Sequence, residues 1–131
     1  MPGVHDMSSL WIPGPLPGLN ELIAAAKGAG GTGRAYSRLK RQWTDTVWAL
    51  AKSARLESFE TPVLITFEWV ERDRRRDPDN VAAGGRKLIL DGLVAAGVLK
   101  GDGWSHVRGW TDDFSVFAKS PGVTVTLGVL A

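Results

Sequence analysis

Two hydrophobic periods follow one another in this chain, and together they limit its fold more than any other feature. Tyr36, Leu39, Trp43, Val47, Leu50 and Ala54 recur at steps of three or four. That spacing is the apolar stripe of an amphipathic helix and predicts one over roughly 35–56. From Pro62 the period changes to two: Val63, Ile65, Phe67 and Trp69 alternate with Leu64, Thr66, Glu68 and Val70. The alternation predicts a strand with one face buried, running to about Glu71. A chain that carries both periods needs a sheet with helices packed on it.

The remaining elements are read around these two. Leu10-Trp11-Ile12 is a short strand candidate, stopped by Pro13-Gly14-Pro15, and residues 1–8, which carry no pattern, read as a loose end. Residues 20–26 suit a brief helical turn, and the glycine-rich 27–34 reads as a mobile loop. It is not a phosphate-binding P-loop, because no Gly-Lys-Ser/Thr follows. Pro78 disfavours helical geometry at Asp77 but suits a first helical position, so a helix is predicted to start there. Val81, Leu88, Ile89, Leu93 and Ala96 share its buried face, and Gly97 is its expected stop, with Val98 packing back on the last turn. A strand at about 106–111, a turn near Ser120-Pro121-Gly122 and an alternating strand through Val123, Val125, Leu127 and Val129 complete the order β-α-β-α-β-β. The expectation is one α/β (α+β) domain over residues 1–131, a mixed sheet with helices packed on it, and no internal repeat or linker.

The 131 residues include no cysteine, which excludes disulfides, thiolate metal sites and cysteine nucleophiles, and fits a reducing cytoplasm. His5 and His106 make no metal-binding pattern. Any bound metal is therefore expected on carboxylate oxygens, which points to magnesium, manganese or calcium. There is no apolar run long enough for a membrane span and no secretory signal is read at the N-terminus. The net charge of +2 is small, but arginine and lysine are unevenly placed. Arg72, Arg74, Arg75, Arg76, Arg86 and Lys87 form one concentration, and Arg34, Arg38, Lys40 and Arg41 another. Local basic patches contact phosphates even when the total charge is modest. Tyr36, Trp43 and Trp48 read as packing residues rather than base-stacking ones.

The segment Arg72-Asp73-Arg74-Arg75-Arg76-Asp77-Pro78-Asp79-Asn80 sets two acids at the end of an arginine cluster, where strand gives way to helix. Carboxylates converging on metal ions position an attacking water and stabilise both oxygens of a phosphoryl displacement. Asp102 follows the end of the same helix, and a strand after that loop can carry it back beside Asp77 and Asp79. The bland alternative is that Asp77 caps the helix through its backbone N–H groups while Asp79 complements the helix dipole.

The ordered set Arg74-Arg75-Arg76-Asp77-Pro78-Asp79-Asn80, Lys87, Asp91-Gly92-Leu93, Ala96-Gly97-Val98 and Asp102 resembles the RusA family of Holliday junction resolvases. Ile12-Pro13-Gly14-Pro15-Leu16-Pro17-Gly18-Leu19-Asn20 is similar to the proline-rich entry of its phage members, and the resemblance covers about residues 10–110. It implies a small homodimeric endodeoxyribonuclease of a bacterial or phage-infected cytoplasm. Such an enzyme cuts four-way DNA junctions by paired symmetric nicks. The resemblance also implies Mg²⁺, or Mn²⁺ in its place, held by Asp77, Asp79 and Asp102. Lys87 then contacts the scissile phosphate or neutralises developing charge, Arg72, Arg74, Arg75, Arg76 and Arg86 meet the DNA, and no small-molecule cofactor or membrane is involved. Arg34, Arg38 and Arg41 are weaker DNA-facing candidates.

Two departures from the family pattern set alternatives. Lys87 follows Asp79 by eight residues, which in a continuous helix turns it about 80° away, whereas Arg86 points more nearly the same way. Either Ala82-Ala83-Gly84-Gly85 interrupts the helix and re-aims Lys87, the reading preferred from the glycine pair, or Arg86 shares its role. The third ligand rests on Asp102 alone between two glycines, with Asp112 and Asp113 as a backup pair better suited to a strand end or turn. Two other functions compete: a non-catalytic DNA-binding protein of the same fold, and a nuclease that prefers flaps or forks.

Overall fold

A computed structural model describes residues 4–28 and 33–130. Seven elements follow in order: β1 (Val4–Pro13), α1 (Leu19–Lys27), α2 (Arg34–Ser53), β2 (Val63–Glu71), α3 (Pro78–Ala95), β3 (Val107–Val116) and β4 (Gly122–Leu130). The strands form one mixed sheet in the order β1-β4-β2-β3. β4 is antiparallel to both β1 and β2, while β2 and β3 are parallel and joined by α3. The fold is the expected α+β sheet with packed helices. Among the described residues no helix is long and apolar enough to cross a membrane.

Alternation decides which face of the sheet is covered. Val63, Ile65, Phe67 and Trp69 of β2, Val123, Val125 and Leu127 of β4, and Leu10 and Ile12 of β1 are all buried. They meet Val47 and Ala51 of α2 and Val81, Ile89 and Leu93 of α3 in one core. The intervening Thr66, Thr124 and Thr126 are only half-buried and Glu68 is exposed, so the far face stays open.

Three expectations need correcting. Residues 4–8 are not a loose end: they belong to β1, paired with β4 from Val4↔Leu130 onward. The register shifts between His5 and Ser8, and such a bulge erases the period-two signal from sequence. The turn expected at 20–26 is the nine-residue α1. The strand expected at 106–111 runs on to Val116. The glycine-rich loop falls largely outside the described residues.

The predicted helix stop at Gly97 holds in detail. Gly97 has φ 77°, its N–H reaches Val94 O at 3.0 Å, and Val98 N–H reaches Leu93 O at 3.0 Å. That is a Schellman cap, with Val98 and Leu93 both buried beside it. α2 ends in the same hydrogen-bond pattern, Arg55 N–H to Lys52 O and Leu56 N–H to Ala51 O. There the left-handed position is Arg55, φ 56°, rather than a glycine.

Candidate functional site

The turn from β2 into α3 is built by residue types that the backbone needs. Asp77 is extended, φ −65° and ψ 147°, as a residue before proline should be, and Pro78 opens the helix. The first helical bond runs from Val81 N–H to Asp77 O at 3.1 Å. Aspartate at an N-cap ordinarily accepts an N–H from the next turn, but the Asp77 carboxylate makes no such bond. Asp79, in the first turn, is exposed as well. Among the described residues neither carboxylate has a hydrogen-bond or ion-pair partner. Asp77 lines an open pocket of about 300 Å³ with Asp73, Arg74, Val81, Phe114 and Val116.

Asn80 has a separate duty. Its Oδ1 accepts the Asn20 N–H at 2.8 Å, tying the start of α1 to the first turn of α3. The asparagine that closes the proline-rich entry and the one in the first turn of α3 are thus joined across 60 positions of sequence.

The arginines divide. Arg72 and Arg74 are exposed and make no ion pair among the described residues. Arg75 is exposed beside Asp73 at 3.6 Å. Arg76, expected on the DNA-facing side, is turned inward: it grips Glu71 through two bonds of 2.8 and 2.9 Å, Glu21 at 2.6 Å and Leu16 O at 2.9 Å. The bond to Glu71 above all, helped by Glu21 against some desolvation, raises its pKa above the ordinary arginine value. Arg38 and Arg41 stand exposed on α2, and Arg34 opens that helix.

α3 runs without interruption from Pro78 to Ala95. The expected break at the glycine pair is therefore wrong, and packing explains the glycines. A Cβ on Gly84 would lie 2.5 Å from Leu19 N and 2.6 Å from Pro17 O, and one on Gly85 would lie 2.6 Å from the Trp69 ring. The glycines let α3 touch the backbone entering α1 on one side and the Trp69 indole on the other.

A continuous helix also separates the expected catalytic residues. At 1.5 Å per residue Lys87 sits about 12 Å along the axis from Asp79. Its Nζ lies 3.1 Å from Asp91 and 3.3 Å from Asp102, and Lys40 approaches Asp91 at 3.6 Å. The Asp91 hydrogen bond first, then that of Asp102, raise the Lys87 pKa despite partial burial. Among the described residues no three acidic or histidine side chains gather where one ion could hold them. The structure thus joins Asp102 to Lys87 and leaves Asp77 and Asp79 apart. The topology gives the reason. β3 does run back toward Asp77, since Glu71 pairs with Val116, but Asp102 precedes that strand, which begins where Val63 pairs with Val107. The strand therefore returns Phe114 and Val116 to the Asp77 pocket, not Asp102.

Arg86 is likewise placed inside. Its guanidinium lies 5.6 Å from the Phe67 ring centre and 4.7 Å from that of Trp110, and it is ion-paired to Asp112. Asp112 also accepts the Trp69 indole N–H at 2.8 Å. Sequence reasoning treated Asp112 and Asp113 as a pair. The structure splits them, because alternation along β3 turns Asp112 toward α3 while Asp113 is exposed. A signal was present: an acid two residues beyond a tryptophan in a strand, with an arginine on the covering helix.

Comparison of the chain with protein-family models and with curated proteins finds no match.

Proposed function

We propose that this protein is a metal-dependent endodeoxyribonuclease acting on branched DNA, with the four-way junction as the substrate its family resemblance implies. The observation that carries the reading is the pair Asp77 and Asp79: two carboxylates at a strand–helix turn, neither bonded among the described residues, near exposed Arg72 and Arg74 in sequence. An N-cap aspartate that does not cap keeps its oxygens for something else.

The donor set fits magnesium, which commonly takes one or two carboxylates and completes its shell with water and substrate phosphate. Bound there, such an ion supplies Lewis-acid polarisation of a phosphodiester and a more acidic water. Asp77 and Asp79 hold the ion, and the N-terminus of α3 contributes N–H groups and dipole to a nearby phosphate. Arg72 and Arg74 neutralise backbone phosphates and set the approach of the duplex without reading sequence. In a homodimer two such sites face the two strands that a symmetric junction must have cut.

A second reading, a non-catalytic DNA-binding protein of this fold, draws on the Lys87–Asp102 ion pair, which occupies the expected third ligand. One assay separates them. Labelled four-way junction, flap and linear duplex are incubated with protein in Mg²⁺ or EDTA. Metal-dependent nicking of the junction, lost in Asp77→Asn and Asp79→Asn while junction binding persists, supports the nuclease. Tight binding with no cleavage in either buffer overturns it, and preferential flap cleavage moves the substrate.

A further inference from the structure

Of the six tryptophans, Trp104 stands out because the fold gives it nothing to pack against: it is 94% exposed. Aromatic rings of this size normally contribute through burial. Its backbone, though not its ring, is held by an ordered turn. Trp104 occupies a tight turn closed by His106 N–H to Gly103 O at 3.0 Å and Val107 N–H to Gly103 O at 2.9 Å. Trp110, six residues on, is 49% exposed. The Arg86 guanidinium, itself anchored on Asp112, lies 4.7 Å from its ring centre and packs on this indole. A ring packed in this way loses less freedom when a ligand arrives.

Trp104 and Trp110 share the walls of one cavity of about 330 Å³ with Val107, Arg108 and Asp102. That lies at the small end of the roughly 300–1,000 Å³ typical of ligand sites. Arg108 is exposed and makes no ion pair among the described residues. The Asp102 carboxylate is already matched by Lys87 at 3.3 Å, so the unmatched charge of the cavity is positive. Two flat π surfaces, one unpaired guanidinium and little directional polar lining select a planar ring attached to an anion, and do not read the ring's edges. An unstacked nucleobase with its phosphodiester has that chemistry.

We infer that the cavity between Trp104 and Trp110 receives an unstacked base of single-stranded or branched DNA, with Arg108 on the adjoining phosphate. The inference rests on the DNA-binding part of the function proposed above and is independent of cleavage. It also sets a distance. Val116, on the wall of the Asp77 pocket, is six residues beyond Trp110 on β3, or about 20 Å at the rise of a strand. At 3.4 Å per nucleotide of stacked DNA, that span to the wall of the Asp77 pocket corresponds to about six nucleotides.

The experiment is an anisotropy titration in EDTA, where no cutting occurs, of labelled oligo(dT), a four-way junction and a blunt duplex. Trp104→Ala is expected to weaken oligo(dT) and junction binding by about 5- to 150-fold, the range for losing one stacked base, and blunt duplex by less than about 2-fold. Trp104→Phe should keep most of the affinity while losing part of the tryptophan quenching caused by oligo(dT). Arg108→Ala should lower the salt dependence by about one ion. Wild-type oligo(dT) affinity in Trp104→Ala overturns the inference. So does a shift from dimer to monomer in sedimentation with DNA affinity unchanged, which would make Trp104 a self-association contact. If Trp104→Ala binds and nicks junctions as the wild type does, only this inference falls. If wild-type protein shows Trp104-dependent binding but no nicking in Mg²⁺, the inference stands and the nuclease reading falls.

Discussion

Replacing Gly84 by alanine tests how α3 is seated, because two opposing terms differ in sign. In a solvent-exposed helix interior the substitution stabilises by about 1 kcal/mol through helix propensity. Here the new methyl must displace Leu19 N from 2.5 Å and Pro17 O from 2.6 Å out to the 3.4 Å at which ordinary contact begins. Both obstacles are backbone, and the chain there is tied down by the Asn20–Asn80 hydrogen bond and by the Arg76 bond to Leu16 O. Overpacking of this kind costs about 1–3 kcal/mol, with rigid backbone toward the upper end. Less the propensity gain, the net is a loss of about 1–2 kcal/mol, or a fall of about 4–8 °C in melting temperature for a domain of this size. The assay is thermal unfolding followed by far-UV circular dichroism, with urea titration at 25 °C as the second measure. Gly28→Ala is the control, since its Cβ would meet its nearest neighbours at 3.5 and 3.7 Å at a negative φ. It should be neutral or stabilising by up to about 1 kcal/mol. A Gly84→Ala protein that melts at or above the wild type would refute the close α3–α1 approach and restore the glycines as helix weakeners.

Asp112→Ala should cost about 3 kcal/mol, because it strands the largely buried Arg86 guanidinium and the Trp69 N–H, while Asp113→Ala stays within about 0.5 kcal/mol; paired urea titrations compare them. Arg55→Gly is expected to stabilise by about 1 kcal/mol, since it removes a side chain from a left-handed position at the end of α2; an unchanged urea midpoint would count against that. Asp77→Asn and Asp79→Asn should leave the melting temperature within about 2 °C, because neither carboxylate has a partner among the described residues, yet lower junction nicking by about 10²-fold or more. The ion pairs of Lys87 raise its folded pKa, so their contribution is complete below the unfolded lysine value of about 10.4 and is lost as pH rises through the folded one. Melting temperature measured above about pH 10 should therefore fall less steeply in Lys87→Met than in the wild type.

What could be read beforehand follows from how local each cause is. β2 was legible because four buried side chains alternate without a break, and the entry and exit of α3 because Pro78 and Gly97 act within one turn. The first half of β1 was hidden by its bulge, and the second half of β3 by Asp112 and Asp113, which disfavour strands. Asp112 is tolerated only because Arg86 and the Trp69 indole N–H, both distant in sequence, meet it. The glycine pair was misread for the same reason: its purpose lies in Pro17, Leu19 and Trp69, which no window around Gly84 contains. At the candidate site, the turn that carries Asp77 and Asp79 depends on neighbouring residues alone, and it lies at the expected junction of strand and helix. The position of Asp102 depends on the full length of α3 and on the parallel pairing of β2 with β3, so spacing alone misplaced it.

The strand order has a consequence for how the chain is made. β4 lies between β1 and β2, and its first pair, Pro13 with Gly122, joins residues 109 positions apart. During synthesis β1 therefore leaves the ribosome with no sheet partner, and β2 can pair only with β3 until residues 122–130 emerge. The βαβ unit around α3, which holds Asp77, Asp79 and Lys87, can form early from nearby contacts. Until β4 inserts, however, Ile65, Phe67 and Trp69 lack half of their sheet, and the partly made chain presents bare strand edges to other chains.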